Sequence, residues 1–171
     1  LQNLSLKKII FNMSNLKKIL LERKNCKSVW FMRQAGRYLP EFRKIRSENQ
    51  DFIKLCLNSE LSSKITLQPI QRFNLDSAII FSDILMVPYA LGQKVKFVKD
   101  KGPILSDFNF ESFLNNDEKS FSNKLSPIYK SIEITRKRLD EKKSLIAFVG
   151  APWTLLIYML GIKKENSKIK K

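Results

Sequence analysis

Residues 78–83 read Ala-Ile-Ile-Phe-Ser-Asp, and residues 145–149 read Leu-Ile-Ala-Phe-Val. Residues 78–81 and 145–149 are continuous apolar runs, which are typical of parallel strands that are covered on both faces. A helical pattern precedes each run, over residues 59–73 and over residues 126–142, where Ser-Pro at the start is a helix-initiation signal. The order of helices and strands therefore predicts an α/β fold with a parallel sheet.

Two neighbouring segments have their own patterns. Residues 94–98 and 103–105 flank a Lys-Asp-Lys-Gly turn, which predicts a hairpin. Residues 145–162 carry no charge and are just long enough to span a membrane. Gly150 and Pro152 lie inside that stretch, which favours a strand that turns into a helix, but the membrane alternative stays open at this point.

The composition limits the function. The chain has 171 residues, of which 43% are hydrophobic, so it can form one domain with a buried core. It contains no histidine, which excludes Ser-His-Asp and Cys-His catalysis and histidine-ligated zinc within the chain. We expect no metal site. The net charge of +16 is compatible with non-specific binding of polyanions, and a basic protein of that kind is the alternative function.

The arginines are unevenly distributed. Only eight of the 32 basic residues are arginines, and four of these eight lie within residues 33–46. Arginine binds carboxylates and phosphates through a planar, bidentate fork, so this segment is a candidate anion-binding site. The alternative is that the four arginines pair with Glu41, Glu48 and similar acids on a solvated face.

Two further polar residues follow the apolar runs. Asp83 comes at the end of the first run, and α/β barrels place catalytic groups at the carboxyl ends of their strands. The alternative role of Asp83 is to cap the next turn. Tyr158 follows the second run on an apolar segment, where it is either a polar contact for a ligand or an interfacial core tyrosine.

Three blocks resemble the uroporphyrinogen decarboxylase family. The first is residues 29–43, Val-Trp-Phe-Met-Arg-Gln-Ala-Gly-Arg-Tyr-Leu-Pro-Glu-Phe-Arg, which we call the signature segment. The second comprises residues 66–69 (Thr-Leu-Gln-Pro) and residues 78–85, which continue through Ile-Leu, and the third comprises residues 150–155 and Tyr158-Met159.

The resemblance implies a lyase of haem and porphyrin biosynthesis that needs no cofactor. It would remove the carboxyl groups from the four acetate arms of uroporphyrinogen III and yield the tetrapyrrole coproporphyrinogen III. It also implies a (β/α)8 TIM-type barrel, a homodimer of the full-length enzyme, a cytoplasmic location, and neither a specific nucleic-acid partner nor a membrane.

The resemblance also implies site residues. Asp83 would be the catalytic residue, accepting hydrogen bonds from the pyrrole N–H groups and stabilising the positive charge that develops on the ring. Ala35 would contact the substrate through its backbone, and the arginines would bind its carboxylates. The implied substrate-binding residues are Arg33, Ala35, Arg37, Arg46, Asp83 and Tyr158.

The chain differs from the family pattern in length. A full barrel with extensions is roughly twice as long, and the sequence shows about two of its eight strands. The family also uses a late histidine, which this chain lacks. We therefore expect an upstream extension in residues 1–12, the amino-terminal half of the barrel in residues 13–161, and a basic tail in residues 162–171. We expect this fragment to be inactive when isolated.

Overall fold

A computed structural model describes residues 14–98 and 101–162. The proposed extension, residues 1–12, and the tail from residue 163 lie outside the described residues. The described part divides into two compact units. Unit 1 comprises residues 14–82 and 126–148, and unit 2 comprises residues 83–98, 101–125 and 149–162.

Helices and short strands alternate along the described chain. In chain order the elements are α1 (Asn15–Glu22), α2 (Pro40–Glu48), α3 (Phe52–Leu57), α4 (Ser59–Phe73), β1 (Ser77–Ile79), α5 (Met86–Ala90), β2 (Val95–Val98), β3 (Gly102–Leu105), α6 (Phe110–Leu114), α7 (Glu118–Arg138), β4 (Ser144–Ile146) and α8 (Pro152–Met159).

The two apolar runs pair as predicted. β1 and β4 form a parallel pair in which Ala78 lies opposite Leu145. The backbone N–H of Ile80 donates to the oxygen of Ile146 at 3.0 Å and extends the pairing beyond the assigned strand. Each strand is shorter than its apolar run, but the prediction of an α/β fold with parallel strands is confirmed.

Helix α4 has the bounds that the sequence predicts. The side chain of Asn58 accepts a hydrogen bond from the N–H of Leu61 at 3.0 Å and caps the first turn. Asn74 adopts the left-handed conformation, with φ of 50°, and its N–H donates to the oxygen of Ile70. Asparagine tolerates this conformation better than most residues, which ends the helix there.

The predicted start of α7 at Ser126 is wrong, because the helix begins at Glu118 and contains Pro127. Asp117 provides the earlier start, since its Oδ1 accepts a hydrogen bond from the N–H of Ser120 at 2.6 Å. The helix ends at Arg138, a few residues before the predicted end.

The core of unit 1 has two buried clusters on either side of α4. The first surrounds Ile65, and the second surrounds Ile70 and includes Ala78 of β1. The two clusters comprise Leu39, Phe42, Ile45, Leu55 and Ile65, and Leu67, Ile70, Leu75, Ala78 and Leu139. Helix α4 is therefore the central element to which the signature segment and β1 are both attached.

Unit 2 contains the predicted hairpin. β2 and β3 are antiparallel, with Val98 opposite Gly102, whose φ of 78° favours glycine. The buried side chain of Gln93 donates to the oxygens of Ser106 at 2.6 Å and Met159 at 2.9 Å. Gln93 therefore joins the base of the hairpin to the end of α8.

The membrane alternative for residues 145–162 does not fit the observed elements. The stretch is divided between β4 and the eight-residue helix α8. Within the part of the chain that the structure describes, no helix combines the length and apolar character needed to cross a bilayer.

Candidate functional site

The signature segment runs beside the outer edge of β1. The backbone oxygen of Val29 accepts a hydrogen bond from the N–H of Asp76 at 2.9 Å, and the N–H of Val29 donates to Asp76 Oδ2 at 2.7 Å. Further along, the buried side chain of Gln34 is hydrogen-bonded to the backbone of Ser77 and Ile79. The stretch from Val29 to Gln34 is therefore hydrogen-bonded to residues 76–79 at both of its ends, and the side chains of residues 30–33 between these ends are exposed.

The four arginines of this region fall into two pairs. Arg33 and Arg37 are exposed, and neither side chain has a hydrogen bond or ion pair with another described residue. Arg43 instead donates to the backbone oxygen of Arg37 at 2.8 Å. Arg46 donates to the backbone oxygen of Asn49, and its guanidinium carbon lies 5.7 Å from the centre of the Phe52 ring. Only the first pair has every guanidinium donor unused among the described residues, whereas Arg43 and Arg46 each use one.

Glu41 is not the partner of these arginines. Both of its carboxylate oxygens accept hydrogen bonds from Arg72 of α4, at 3.0 Å from Nε and 2.9 Å from Nη2. This bond is the main reason why the pKa of Glu41 is lowered from its ordinary value. The alternative that the four arginines pair with neighbouring acids therefore does not hold for Glu41.

Ala35 and Tyr38 fix the middle of the signature segment. Ala35 is partly buried and packs against the first core cluster. The Tyr38 hydroxyl donates to the backbone oxygen of Gln34, while its ring stacks on Phe73 with centroids 6.2 Å apart. Burial is the largest cause that raises the pKa of Tyr38, followed by the nearby charge of Glu41.

Asp83 is the first residue of unit 2. Its Oδ1 accepts a hydrogen bond from the N–H of Leu85 at 2.8 Å, which is the contact expected from the alternative role of capping the next turn. Its Oδ2 has no hydrogen-bond partner among the described residues. Burial raises the pKa of the Asp83 carboxyl, and the bond from Leu85 opposes that rise. Asp83 therefore combines a fixed orientation with one free oxygen.

Gly150 brings the third block close to the residue that follows Asp83. A Cβ atom on Gly150 would lie 2.6 Å from a methyl carbon of Leu155 and 3.1 Å from Cβ of Ile84. Neither distance accommodates a side chain without displacement. Glycine is therefore required here because the turn before α8 packs directly against the chain after Asp83.

Tyr158 lines a cavity of about 870 Å³ within unit 2. One wall is formed by residues 103–108 and the other by residues 157–162. Lys101 and Asp107 also line it, and the Tyr158 hydroxyl has no hydrogen-bond partner among the described residues. This placement favours the interpretation of Tyr158 as a polar contact for a ligand.

The predicted site residues belong to both units. Arg33, Ala35, Arg37 and Arg46 are part of unit 1, whereas Asp83 and Tyr158 are part of unit 2. Sequence reasoning missed Gln34 and Gln93, whose roles depend on contacts between segments distant in sequence. No cluster of three His, Cys, Asp or Glu side chains able to hold a metal ion occurs among the residues described.

Comparison with known proteins gives consistent matches. The uroporphyrinogen decarboxylase family model matches residues 17–171. The chain is 50% identical over 133 residues to the uroporphyrinogen decarboxylase of Neorickettsia sennetsu, covering 78% of this chain and 40% of the relative. It is 46% identical over 144 residues to that of Rickettsia canadensis, covering 84% and 42%. The chain thus spans about two fifths of the length of these curated relatives.

A solved structure supports the fold independently of sequence. A methyltransferase from Methanosarcina mazei superimposes with a TM-score of 0.57 at 12% identity, covering 84% of this chain and 44% of that protein. At this identity the likeness concerns the α/β fold alone. The family match spans nearly the whole chain and includes all three blocks, and this chain therefore belongs to the uroporphyrinogen decarboxylase family.

Proposed function

We propose that the chain is the amino-terminal part of a uroporphyrinogen decarboxylase that converts uroporphyrinogen III into coproporphyrinogen III. The observation that carries this proposal is the state of Arg33 and Arg37. Both guanidinium groups lack a protein carboxylate among the described residues, although Glu41 of the same segment is bound by Arg72. Two free arginines suit a substrate with eight carboxylates, because each can bind one carboxylate bidentately.

The chemistry requires an electron sink. Protonation of a pyrrole ring at carbon makes the ring cationic, and the electrons of the breaking C–CO2 bond then neutralise it. The exocyclic carbon takes up a proton to become a methyl group, and the ring carbon returns its proton. Each acetate arm thus consumes one proton and releases one CO2, and no redox partner is needed.

Asp83 would stabilise the cationic intermediate. Its Oδ1 is fixed by the N–H of Leu85, and its free Oδ2 can accept a hydrogen bond from a pyrrole N–H. An oriented carboxylate in a partly buried position interacts more strongly with a developing positive charge than one in water does. Its raised pKa shows that burial disfavours the charged form, which a cationic ring would compensate.

The remaining assignments follow from the family. We place Arg33, Arg37 and Arg46 at the peripheral carboxylates, Ala35 at the substrate through its backbone, and Tyr158 at the substrate in unit 2. Residues 13–161 would form the amino-terminal half of a (β/α)8 barrel, with β1 and β4 as two of its eight strands. The full-length enzyme would be a cytoplasmic homodimer that uses no cofactor.

The test is an activity assay on a rebuilt enzyme. It joins residues 14–162 of this chain to the part of the Neorickettsia sennetsu decarboxylase that follows the matched region. Uroporphyrinogen III should be converted to coproporphyrinogen III, as followed by chromatography of the oxidised products. A folded rebuilt protein without conversion would contradict the proposal. The polyanion-binding alternative instead predicts salt-sensitive binding to heparin and DNA alike.

A further inference from the structure

Gln34 is the one buried residue of the exposed stretch from 29 to 38. Its side chain is 4% exposed, and its amide nitrogen donates to the backbone oxygen of Ser77 at 2.7 Å. Its amide oxygen accepts a hydrogen bond from the N–H of Ile79 at 3.1 Å. The two partners fix the orientation of the amide, since a carbonyl only accepts and an N–H only donates.

These two bonds replace a neighbouring strand. Ser77 and Ile79 are the residues of β1 that direct their backbone groups away from β4, because backbone groups alternate in direction along a strand. Without hydrogen-bond partners, the outward backbone groups of Ser77 and Ile79 would be unsatisfied polar groups at an open sheet edge. A single carboxamide satisfies one acceptor and one donor of that edge.

The segment is attached to residues 76–79 at Val29 and at Gln34. The spacing of these two points explains why a side chain, and not a paired strand, bonds to this edge of β1. From Val29 to Gln34 the segment advances five residues, but from Asp76 to the middle of β1 the strand advances only two. Five extended residues would cover about 16 Å and two about 7 Å. The segment therefore cannot pair with β1 as a regular strand, and the side chains of residues 30–33 are exposed.

Gln34 therefore attaches the backbone next to Arg33 to the edge of β1. Arg33 precedes it on the exposed side, and no hydrogen bond or ion pair with a described residue holds its side chain. The backbone oxygen of Gln34 is itself held by the Tyr38 hydroxyl. The backbone next to Arg33 is thus held by the carboxamide and the backbone oxygen of Gln34.

We propose that Gln34 is a positioning residue that acts through Arg33: by bonding to the edge of β1 it holds the Arg33 guanidinium where a substrate carboxylate binds. The proposal rests on the proposed function, which supplies the carboxylate. Gln34 does not touch the substrate in this role. It contributes to affinity by limiting the conformations that the flanking backbone can adopt before binding.

The test is a double-mutant cycle in the rebuilt enzyme. The probe is uroporphyrin I, a stable octacarboxylate whose binding is followed by fluorescence and requires no turnover. Gln34→Leu keeps the volume but removes both hydrogen bonds, and we expect it to raise Kd about fivefold. In the Arg33→Gln background the same change should alter Kd by less than about 1.5-fold, because the two residues act as one unit.

A matched control is available in α4. Gln68 is also buried in unit 1, at 5% exposure, but neither of its amide atoms has a hydrogen-bond partner among the described residues. Gln68→Leu should leave the Kd of uroporphyrin unchanged. If Gln34→Leu does not fold, Gln34→Glu takes its place, since it keeps the acceptor for Ile79 and loses the donor to Ser77.

The outcomes separate the two proposals. An unchanged Kd in the Gln34 variant overturns the positioning role, as does an equal loss with and without Arg33. An Arg33→Gln variant that binds uroporphyrin normally overturns it as well, because Gln34 would then have nothing to act through. Failure of the proposed function is measured separately, as absence of conversion of uroporphyrinogen III by the unmutated rebuilt enzyme.

Discussion

Arg33 and Arg37 of unit 1 and Asp83 of unit 2 have opposite environments. Arg33 and Arg37 are exposed and have no partner among the described residues. Asp83 is partly buried, oriented by the N–H of Leu85, and has a raised pKa. A group that binds and releases a substrate benefits from accessible donors, whereas a group that stabilises charge in a reaction benefits from burial and fixed orientation.

The largest expected effect is the absence of activity in the isolated chain, although this chain contains both the exposed arginines and Asp83. We expect no conversion of uroporphyrinogen III above the uncatalysed background, because the chain covers about two fifths of its relatives and contains no histidine, whereas the resemblance implies a late one. The measurement is coproporphyrinogen formation by the purified 171-residue protein, with the rebuilt enzyme as positive control. Turnover by the chain alone would contradict this prediction and show that the two regions suffice by themselves.

The second prediction concerns Asp83→Asn in the rebuilt enzyme. Asparagine keeps the size and the acceptor for Leu85 but removes the negative charge, so kcat should fall on the order of 10²–10³ with little change in KM. Steady-state kinetics with uroporphyrinogen III measure both constants. If KM rises while kcat is unchanged, Asp83 is a binding residue and the division of roles between the two units is wrong.

The third prediction concerns Arg37→Lys, which keeps the charge and removes the bidentate fork. We expect KM to rise roughly three- to tenfold, partly decarboxylated intermediates to accumulate, and kcat for the first decarboxylation to change little. Arg23→Lys is the matched control, since Arg23 is exposed and unpaired among the described residues but lies outside the signature segment. Equal effects of the two substitutions would show that only overall charge matters.

Local signals explain which parts of the fold were predictable. The bounds of α4 follow from capping side chains within the helix's own neighbourhood, Asn58 and Asn74. The hairpin of β2 and β3 is predicted by the Lys-Asp-Lys-Gly turn signal between its strands. The start of α7 has an equally local signal in Asp117, but the Ser-Pro pair at residue 126 is a second start signal in the same stretch and predicts a later start. Sequence reasoning succeeds where a single segment contains both partners of the deciding interaction and no competing signal.

The site was less predictable because its contacts join distant segments. The four arginines look equivalent in sequence, yet two donate to backbone oxygens and two do not. Glu41 is the nearest acid in sequence, but it pairs with Arg72, 31 residues away. The role of Gln34 depends on the edge of β1, 43 residues further along the chain. The spacing of residues along the sequence therefore indicates candidate site residues, but it does not indicate which residues they contact.

The smallest expected effect is that of Asp83→Asn on the free energy of unfolding. We expect this free energy to increase, whereas the same substitution decreases kcat. The raised pKa means that folded Asp83 holds a proton more tightly than the unfolded chain does. As pH rises through the interval from the ordinary carboxyl pKa of 3.8 to the raised folded value, the free energy of unfolding falls, and above that interval the loss is complete.

Asp83→Asn removes this loss, so the less active variant should be more stable than the parent at pH 7. Partial exposure screens the charge and keeps the gain small. The Tm difference between variant and parent, measured on the rebuilt enzyme at several pH values, should shrink as the pH approaches 4. Asp107→Asn, which removes the charge of an exposed aspartate with no hydrogen-bond partner among the described residues, is the control whose Tm difference is subtracted at each pH. A Tm difference for Asp83→Asn that does not depend on pH would mean that burial does not disfavour the Asp83 charge, and the contrast with the exposed arginines would then lose its physical basis.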